Sequence, residues 1–208
     1  MRWCWITAML GCAIAGHGAV LFSEDFSQGK AGAQPAGLLV LGGDFRIRHE
    51  GKEHFLELAG KPVNLHAAMF GPPTQSSVRA EVRVRGQRRG RRAFPAFGLG
   101  LNGVSGYRLM VSPAKGKLEL FKADTPVRAV PFQWKHDAWT HLQLELAPLG
   151  KTCQLTAWAW AGGDKAPDKP TLEWRDLQPP LPGRATIWGA PFAGTPIRFD
   201  DLRMRRLD

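Results

Sequence analysis

Two tryptophans spaced two apart, Trp158 and Trp160 in "TCQLTAWAW", are the side chains of this sequence best suited to gripping an uncharged ring. Sugar rings pack their C–H faces on aromatic faces, and a carbohydrate site combines exposed aromatic rings with a few polar groups. In an extended segment Cys153, Leu155, Ala157 and Ala159 take one face, and Gln154, Thr156, Trp158 and Trp160 take the other. The two indoles then stand about 7 Å apart along the strand. The small apolar set marks the packed face. The pair reads either as a platform for adjacent sugar units or as a second packed layer under a loop. Tyr107, the single tyrosine, opens "GYRLMVS"; it serves either as a hydroxyl anchor in the core or as a hydrogen-bonding group in a groove. Trp139 and Trp188 are expected to be buried, as large aromatics in apolar strands usually are.

Charge supplies the second chemistry. The formal net charge is +10, and six arginines fall within "RVRGQRRGRR" (residues 83–92). Arg88, Arg89 and Arg91 there suit an acidic glycan or another anionic surface polymer. The plainer reading is a solvated hairpin tip. No aromatic residue is interleaved with these arginines to stack on bases, which argues against nucleic acid. At the far end, "IRFDDLRMRR" (197–206) sets Asp200 and Asp201 side by side among arginines, and "FSEDF" (22–26) carries Glu24 and Asp25 near the start. These segments read as last and first strands that close on each other. The acids then pair with Arg46, Arg48, Arg198 or Arg203 at a sheet edge, where charge also discourages edge-to-edge aggregation, unless a ligand claims them.

Constellations for catalysis are sparse. A retaining glycosidase needs two carboxyl groups about 5 Å apart. The nearest acidic cluster, Glu50, Glu53 and Glu57 in "HEGKEHFLEL", straddles an expected hairpin turn instead of lining a groove. There is no G-x-S-x-G, H-E-x-x-H, P-loop or C-x-x-C pattern. His49 and His54 face each other across the same turn, but two histidines are too few for a metal site of their own. The reading therefore leans away from an enzyme.

The elements that must position these groups are strands. Alternation at period two recurs in "FRIRH", "HFLELAG", "SVRAEVRVRG", "HLQLELA" and "TCQLTAWAW", and further strands are expected in "FGLGL", "GYRLMVS", "KLELFKA", "ATIWGA" and "IRFDDLRMR". Gly and Pro, 24 and 16 in number, punctuate them and disfavour long helices. Residues 162–182 and 29–43 read as the long loops. The fold class is all-β, an antiparallel two-sheet β-sandwich or jelly roll. Residues 1–19 read as a signal peptide, with Arg2, an apolar run from Ile6 to Ala15 and small residues before the cut. A lipid-anchored cysteine at Cys12 is the weaker alternative, and residues 20–208 form one domain with no membrane span. Of three cysteines only Cys153 then remains, expected buried, so an intrachain disulfide is excluded. That composition suits a bacterial envelope or exterior, secreted or periplasmic.

"LFSEDFSQG", "GYRLMVSPAKGKLELFKAD", "WKHDAWTHLQLELAP" and "IRFDDLRMRRL" together resemble the concanavalin A-like lectin/glucanase superfamily, particularly laminin-G-like and related secreted bacterial domains. The resemblance implies a concanavalin A-like sandwich acting as a non-catalytic module for carbohydrate or surface polymer. It also implies a possible structural calcium joining the first and last strands, for which Glu24, Asp25, Asp200 and Asp201 are the matching acids. Adjacent strand residues point to opposite faces, so only one of Asp200 and Asp201 is a natural ligand unless a bulge turns the other. The alternatives are a saccharide hydrolase on the same scaffold, glycosidase or keto-disaccharide hydrolase-like, and a structural envelope domain. Glutamates spaced for a laminarinase-type Glu-x-Asp-x-x-Glu strand are missing.

Overall fold

The computed structural model describes residues 18–207, and the leader expected over 1–19 lies almost wholly outside them. Fifteen strands follow in order: β1 (Val20–Glu24), β2 (Leu39–Val40), β3 (Phe45–Glu50), β4 (Glu53–Leu58), β5 (His66–Phe70), β6 (Val78–Gly86), β7 (Ala96–Leu101), β8 (Tyr107–Ser112), β9 (Lys117–Lys122), β10 (Thr125–Pro131), β11 (Trp139–Leu149), β12 (Thr152–Ala161), β13 (Leu172–Asp176), β14 (Ala185–Ala190) and β15 (Ile197–Arg206). Sheet A runs β13-β12-β11-β6-β15-β4-β3, with β1 also on β15, and sheet B runs β10-β9-β8-β7-β14-β5-β2. Every pairing is antiparallel.

The alternation read from sequence is what builds the core. Val78, Ala80, Val82 and Val84 of β6, Leu142, Leu144 and Leu146 of β11, and Cys153, Leu155 and Ala157 of β12 all face inward, against Phe97, Leu99 and Leu101 of β7 and Leu109 and Val111 of β8. The odd-numbered partners on β6 and β11 stay on the outer face of sheet A. Four strands escaped the pattern for identifiable reasons, the first being β2, whose two residues inside the expected 29–43 loop are too few to show a period. β5, "HAAMF", has small side chains and no contrast between faces. β10 is bounded by Pro126 and Pro131 and lies at a sheet edge, where a missing N–H is tolerated. β13, inside the expected 162–182 loop, is a five-residue edge strand on β12.

Tyr107 resolves to the core anchor and not the groove group. It is wholly buried; its hydroxyl donates to Asp176 Oδ2 at 2.7 Å and lies 3.1 Å from Cys153 Sγ. Lys122 Nζ completes the cluster, 2.8 Å from Asp176. A ligand cannot reach this phenol without opening the sandwich, so Tyr107 is a core anchor and not a groove hydrogen-bonding group. Burial drives both the phenol and the Cys153 thiol upward in pKa, and Cys153 is expected to be inert to thiol reagents in the native protein. Tyr107→Phe should cost about 1–3 kcal/mol in urea unfolding, because buried Asp176 loses a hydroxyl donor with no water to replace it.

The first and last strands do meet. β1 pairs with β15 from Val20↔Arg205 to Glu24↔Leu202. β15 pairs with β4 only at residues 197–199, so its outer edge is handed from β4 to β1 between Asp200 and Leu202. A bulge marks the handover: the register with β6 shifts between Asp200 and Arg203, and Asp201 takes a left-handed φ of 52°. The bulge adds a residue and turns Asp201 to the same face as Asp200, overriding strict alternation.

Candidate functional site

Because β12, β11, β6 and β15 are consecutive in sheet A, their outward residues fall into lateral rows. One row reads Trp160, His141, Arg83, Asp200, and the next reads Trp158, Gln143, Glu81, Arg203. At a strand spacing of about 4.8 Å each row spans about 14 Å, with about 7 Å between rows. The sequence placed Trp158 and Trp160 on a polar face, and the structure puts them there, each partly exposed. Their faces are engaged by different neighbours. Trp160 stacks on His141 with ring centroids 5.0 Å apart and planes 9° apart, and the Arg79 guanidinium lies 5.9 Å from the centroid of Trp158. Trp139, expected in the core, instead has the outward parity of β11 and carries the Arg83 guanidinium over its ring at 4.5 Å. Trp188 is buried, but on the outer face of sheet B in a cluster separate from the main core.

Arg83 organises the acids. It pairs with Asp200 through Nε and the terminal nitrogen, and its Nε is 3.1 Å from Asp201 Oδ2. Asp200, only 3% exposed, also accepts the Asp201 backbone N–H at 2.7 Å, bracing the bulge. Burial raises the Asp200 carboxyl above its ordinary pKa, and the bonds from Arg83 and the Asp201 N–H oppose this without cancelling it. Asp201 takes Arg203 at 3.2 Å, Gln143 donates to Glu81 at 3.1 Å, and Arg79 holds Glu145. Arg203 was among the partners expected for these acids; Arg83 was not.

His141 sits between the aromatic and charged halves of its row. Burial first, and the Arg83 charge second, lower its pKa from 6.5, against a smaller opposing pull from Asp201. It is therefore neutral at pH 7, with one donor and one acceptor nitrogen. The folded protein disfavours the imidazolium, so the unfolded chain binds the proton more readily. Stability should fall as pH drops through about 6.5, and His141→Phe should flatten that part of a Tm–pH curve. Glu81, Arg83, His141, Gln143, Trp160, Asp201 and Arg203 line one surface hollow of about 220 Å³. It offers an indole, a neutral imidazole, an amide and a balanced set of two guanidinium and two carboxylate groups.

The four acids considered for calcium are not gathered. Glu24 accepts the Phe26 N–H at 2.7 Å, Asp25 accepts the Ser27 N–H at 3.0 Å, and Asp200 and Asp201 are spent on arginine. Among the described residues no group of three or more His, Cys, Asp or Glu side chains could hold a metal ion. Chelator is accordingly expected to leave Tm unchanged; a fall in Tm abolished by Asp200→Asn would restore the ion. In the Glu50, Glu53 and Glu57 cluster, Arg198 holds Glu50, Arg48 holds Glu57, and Glu53 lies 3.9 Å from Arg85. His49 and His54 do stack across their hairpin, 4.2 Å apart.

The arginine loop after β6 stands apart from the tryptophan rows. Arg88, Arg89 and Arg91 are exposed. Arg88 donates its backbone N–H to His136 Nδ1 at 3.2 Å and lines a separate hollow of about 520 Å³ with Phe94, Trp134 and His136. The structure thus brings Trp134 and His136, about forty residues on, beside this loop and the adjacent Phe94. The period of two puts His141, Gln143 and Glu81 on the outer face, but their meeting with Trp160, Arg83 and Asp200 is a matter of strand register across separations from about twenty residues to more than a hundred. No helix among the described residues is long and apolar enough to cross a membrane.

No family model matches the sequence, and no curated protein matches it. Solved structures do match over nearly the whole chain. The catalytic domain of the glycoside hydrolase family 131 protein from Coprinopsis cinerea has a TM-score of 0.57 at 10% identity, covering 91% of this chain and 95% of that one. The carbohydrate recognition domain of Emp47p has 0.58 at 9%, covering 92% and 98%. Lectin II from Ulex europaeus has 0.57 at 10%, covering 90% and 99%. At these identities the likeness is one of fold, and the chain has the concanavalin A-like antiparallel β-sandwich fold shared by these lectin and hydrolase domains.

Proposed function

We propose that the protein is a secreted carbohydrate-binding module that holds a saccharide on the outer face of sheet A without turning it over. The observation that carries this reading is the 220 Å³ hollow in which a Trp160–His141 stack adjoins paired hydrogen-bonding groups of both signs. Sugars need an aromatic face and closely set donors and acceptors together. Because Arg83 and Arg203 are already matched by Asp200 and Asp201, the hollow suits a neutral saccharide better than an acidic one. The carbohydrate recognition domain among the structural neighbours supports the class. Closer kinship with laminin-G-like bacterial domains, and export by the apolar leader, belong to the same proposal and rest on the sequence.

The test is retention on immobilised neutral and acidic polysaccharides at low and high salt. Retention on a neutral glycan should survive high salt, and Trp160→Ala should weaken it by about tenfold or more, the scale of a lost aromatic contact with its buried area. Retention only on acidic polymers, lost with salt, would move the site to Arg88, Arg89 and Arg91. No retention at all would favour a structural envelope role.

One observation favours hydrolysis as a second reading. Asp200, its carboxyl pKa raised by burial, adjoins Asp201 and a neutral His141, and a glycoside hydrolase domain shares the fold. New reducing ends released from a retained glycan, and lost in Asp201→Asn, would establish it.

A further inference from the structure

The outer face of sheet B carries a buried cation, Arg108, whose one ion-pair partner among the described residues is exposed. β7 presents only Ala96, Gly98 and Gly100 to this side, which leaves room for the long residues of the flanking strands to lie down across it. Trp188 lies opposite Gly98 in the register of β14, and Arg108 lies opposite Gly100 on β8. The Arg108 guanidinium is sandwiched between two rings, 4.6 Å from the centroid of Trp188 and 5.0 Å from that of Phe121. Trp188 is itself fixed by donating Nε1–H to Thr186 at 2.7 Å.

Arg108 is 8% exposed, and its buried Nε has no hydrogen-bond partner. Its one ion-pair partner among the described residues is Asp124, 3.5 Å away and almost fully exposed, an arrangement worth little in water. The other nearby carboxylate is committed elsewhere: Glu119 accepts from Ser112 Oγ and from Lys115 Nζ. A terminal nitrogen of Arg108 reaches Asp124 Oδ1 at 3.5 Å, but Nε–H is left unmet in a desolvated place, which is costly.

This arginine lines a hollow of about 240 Å³ whose other walls are mainly apolar, including Phe94, Ala96, Met110 and Phe121, with the paired Glu119 and Lys115 also at its wall. Phe192 is 57% exposed at the rim. The volume is slightly below the roughly 300 Å³ at which sites for drug-sized ligands begin. The hollow therefore fits a compact molecule with one anionic end and an apolar body.

We propose that this hollow is a binding site for a small amphiphilic carboxylate, with the carboxylate against Arg108 and the apolar body over Ala96, Met110 and Phe94. A carboxylate is favoured because the planar fork of arginine matches it in two parallel hydrogen bonds. The site is on the opposite sheet from the saccharide hollow and does not depend on that reading.

Calorimetric titration of the purified protein with hexanoate, 1-hexanol and hexylamine at constant ionic strength tests the assignment. Hexanoate should bind with a stoichiometry of one, hexanol at least about tenfold more weakly, and hexylamine without measurable heat. Arg108→Met, which keeps the apolar stem, should erase the difference between acid and alcohol, and Ala96→Phe should fill the hollow and abolish hexanoate binding. Equal affinity for acid and alcohol in the unmodified protein, or no saturable hexanoate heat, overturns the proposal without recourse to any variant. Undiminished binding in a folded Ala96→Phe protein overturns the location.

Discussion

Replacing Arg83 with methionine is expected to lower unfolding free energy by about 3–5 kcal/mol, the cost of removing one partner from a buried ion pair. The reason lies in the bulge of β15. Asp200 is 3% exposed and shares the Arg83 guanidinium with Asp201, so methionine leaves one carboxylate desolvated and a second beside it with only Arg203. Arg83→Lys should recover a minority of the loss, since an ammonium cannot span two carboxylates as the planar fork does. The double variant Arg83→Met/Asp200→Asn should recover much of it. Asp200 already has a raised pKa, and protonation relieves an unpaired acid, so the penalty in Arg83→Met should be larger at pH 8 than at pH 4. Urea unfolding of the four proteins at both pH values measures each comparison. A loss under 1 kcal/mol for Arg83→Met would mean that Asp200 is held by the backbone of the bulge and not by the arginine.

The second large effect is expected from the smallest side chains. A Cβ built on Gly98 would stand 2.1 Å from the Leu109 carbonyl oxygen, and one on Gly100 would stand 2.5 Å from the Tyr107 carbonyl oxygen and 2.3 Å from Thr186 Oγ1. The obstacles include backbone of the adjacent β8, which cannot swing aside as a side-chain tip can. Gly98→Ala and Gly100→Ala should each destabilise by about 3 kcal/mol, near the upper end for overpacking. Gly100→Ala should also disturb Trp188, whose Nε1 would lie 3.1 Å from the new methyl, and a changed tryptophan emission is the second readout. Near-normal melting of both variants would show that β7 and β8 can separate locally, and that sheet B is looser than its pairing implies.

How far the sequence foretold this can be judged strand by strand. Where inward and outward residues differ in polarity, as in Val82/Arg83 or Leu142/Gln143, the period of two gave both the strand and its faces. Where they do not, as in His66–Phe70, there was no contrast to read. Proline at an edge concealed β10, and expected loop composition concealed β13. The alternation of β11 gives Trp139 the outward parity of His141 and Gln143, the general tendency of tryptophan to be buried points the other way, and the parity is the better guide.

The site was legible as faces and not as a constellation. Trp158 and Trp160 could be assigned a side of their strand because that depends on neighbours in sequence. Their setting beside His141, Arg83 and Asp200 depends on which strands adjoin and in what register, and β15 comes next to β6 after more than a hundred intervening residues. The bulge was legible only as a condition: adjacent aspartates could share a face if an extra residue were inserted, and the left-handed φ of Asp201 is that residue.

The handover of β15 from β4 to β1 has a kinetic consequence. β1 is hydrogen-bonded to β15 alone, and that contact joins residues nearly a whole chain length apart, so its loop-closure entropy is the largest in the fold. Strand hairpins such as β3–β4 and β11–β12 can form as soon as their residues are available, whereas β1 has no partner until β15 exists. It should therefore dock last in folding and leave first in local opening. Amides of β15 that face β1, from Leu202 to Arg205, should exchange with solvent faster than those of β11, at a rate that reports the departure of one strand and not the unfolding of the sandwich.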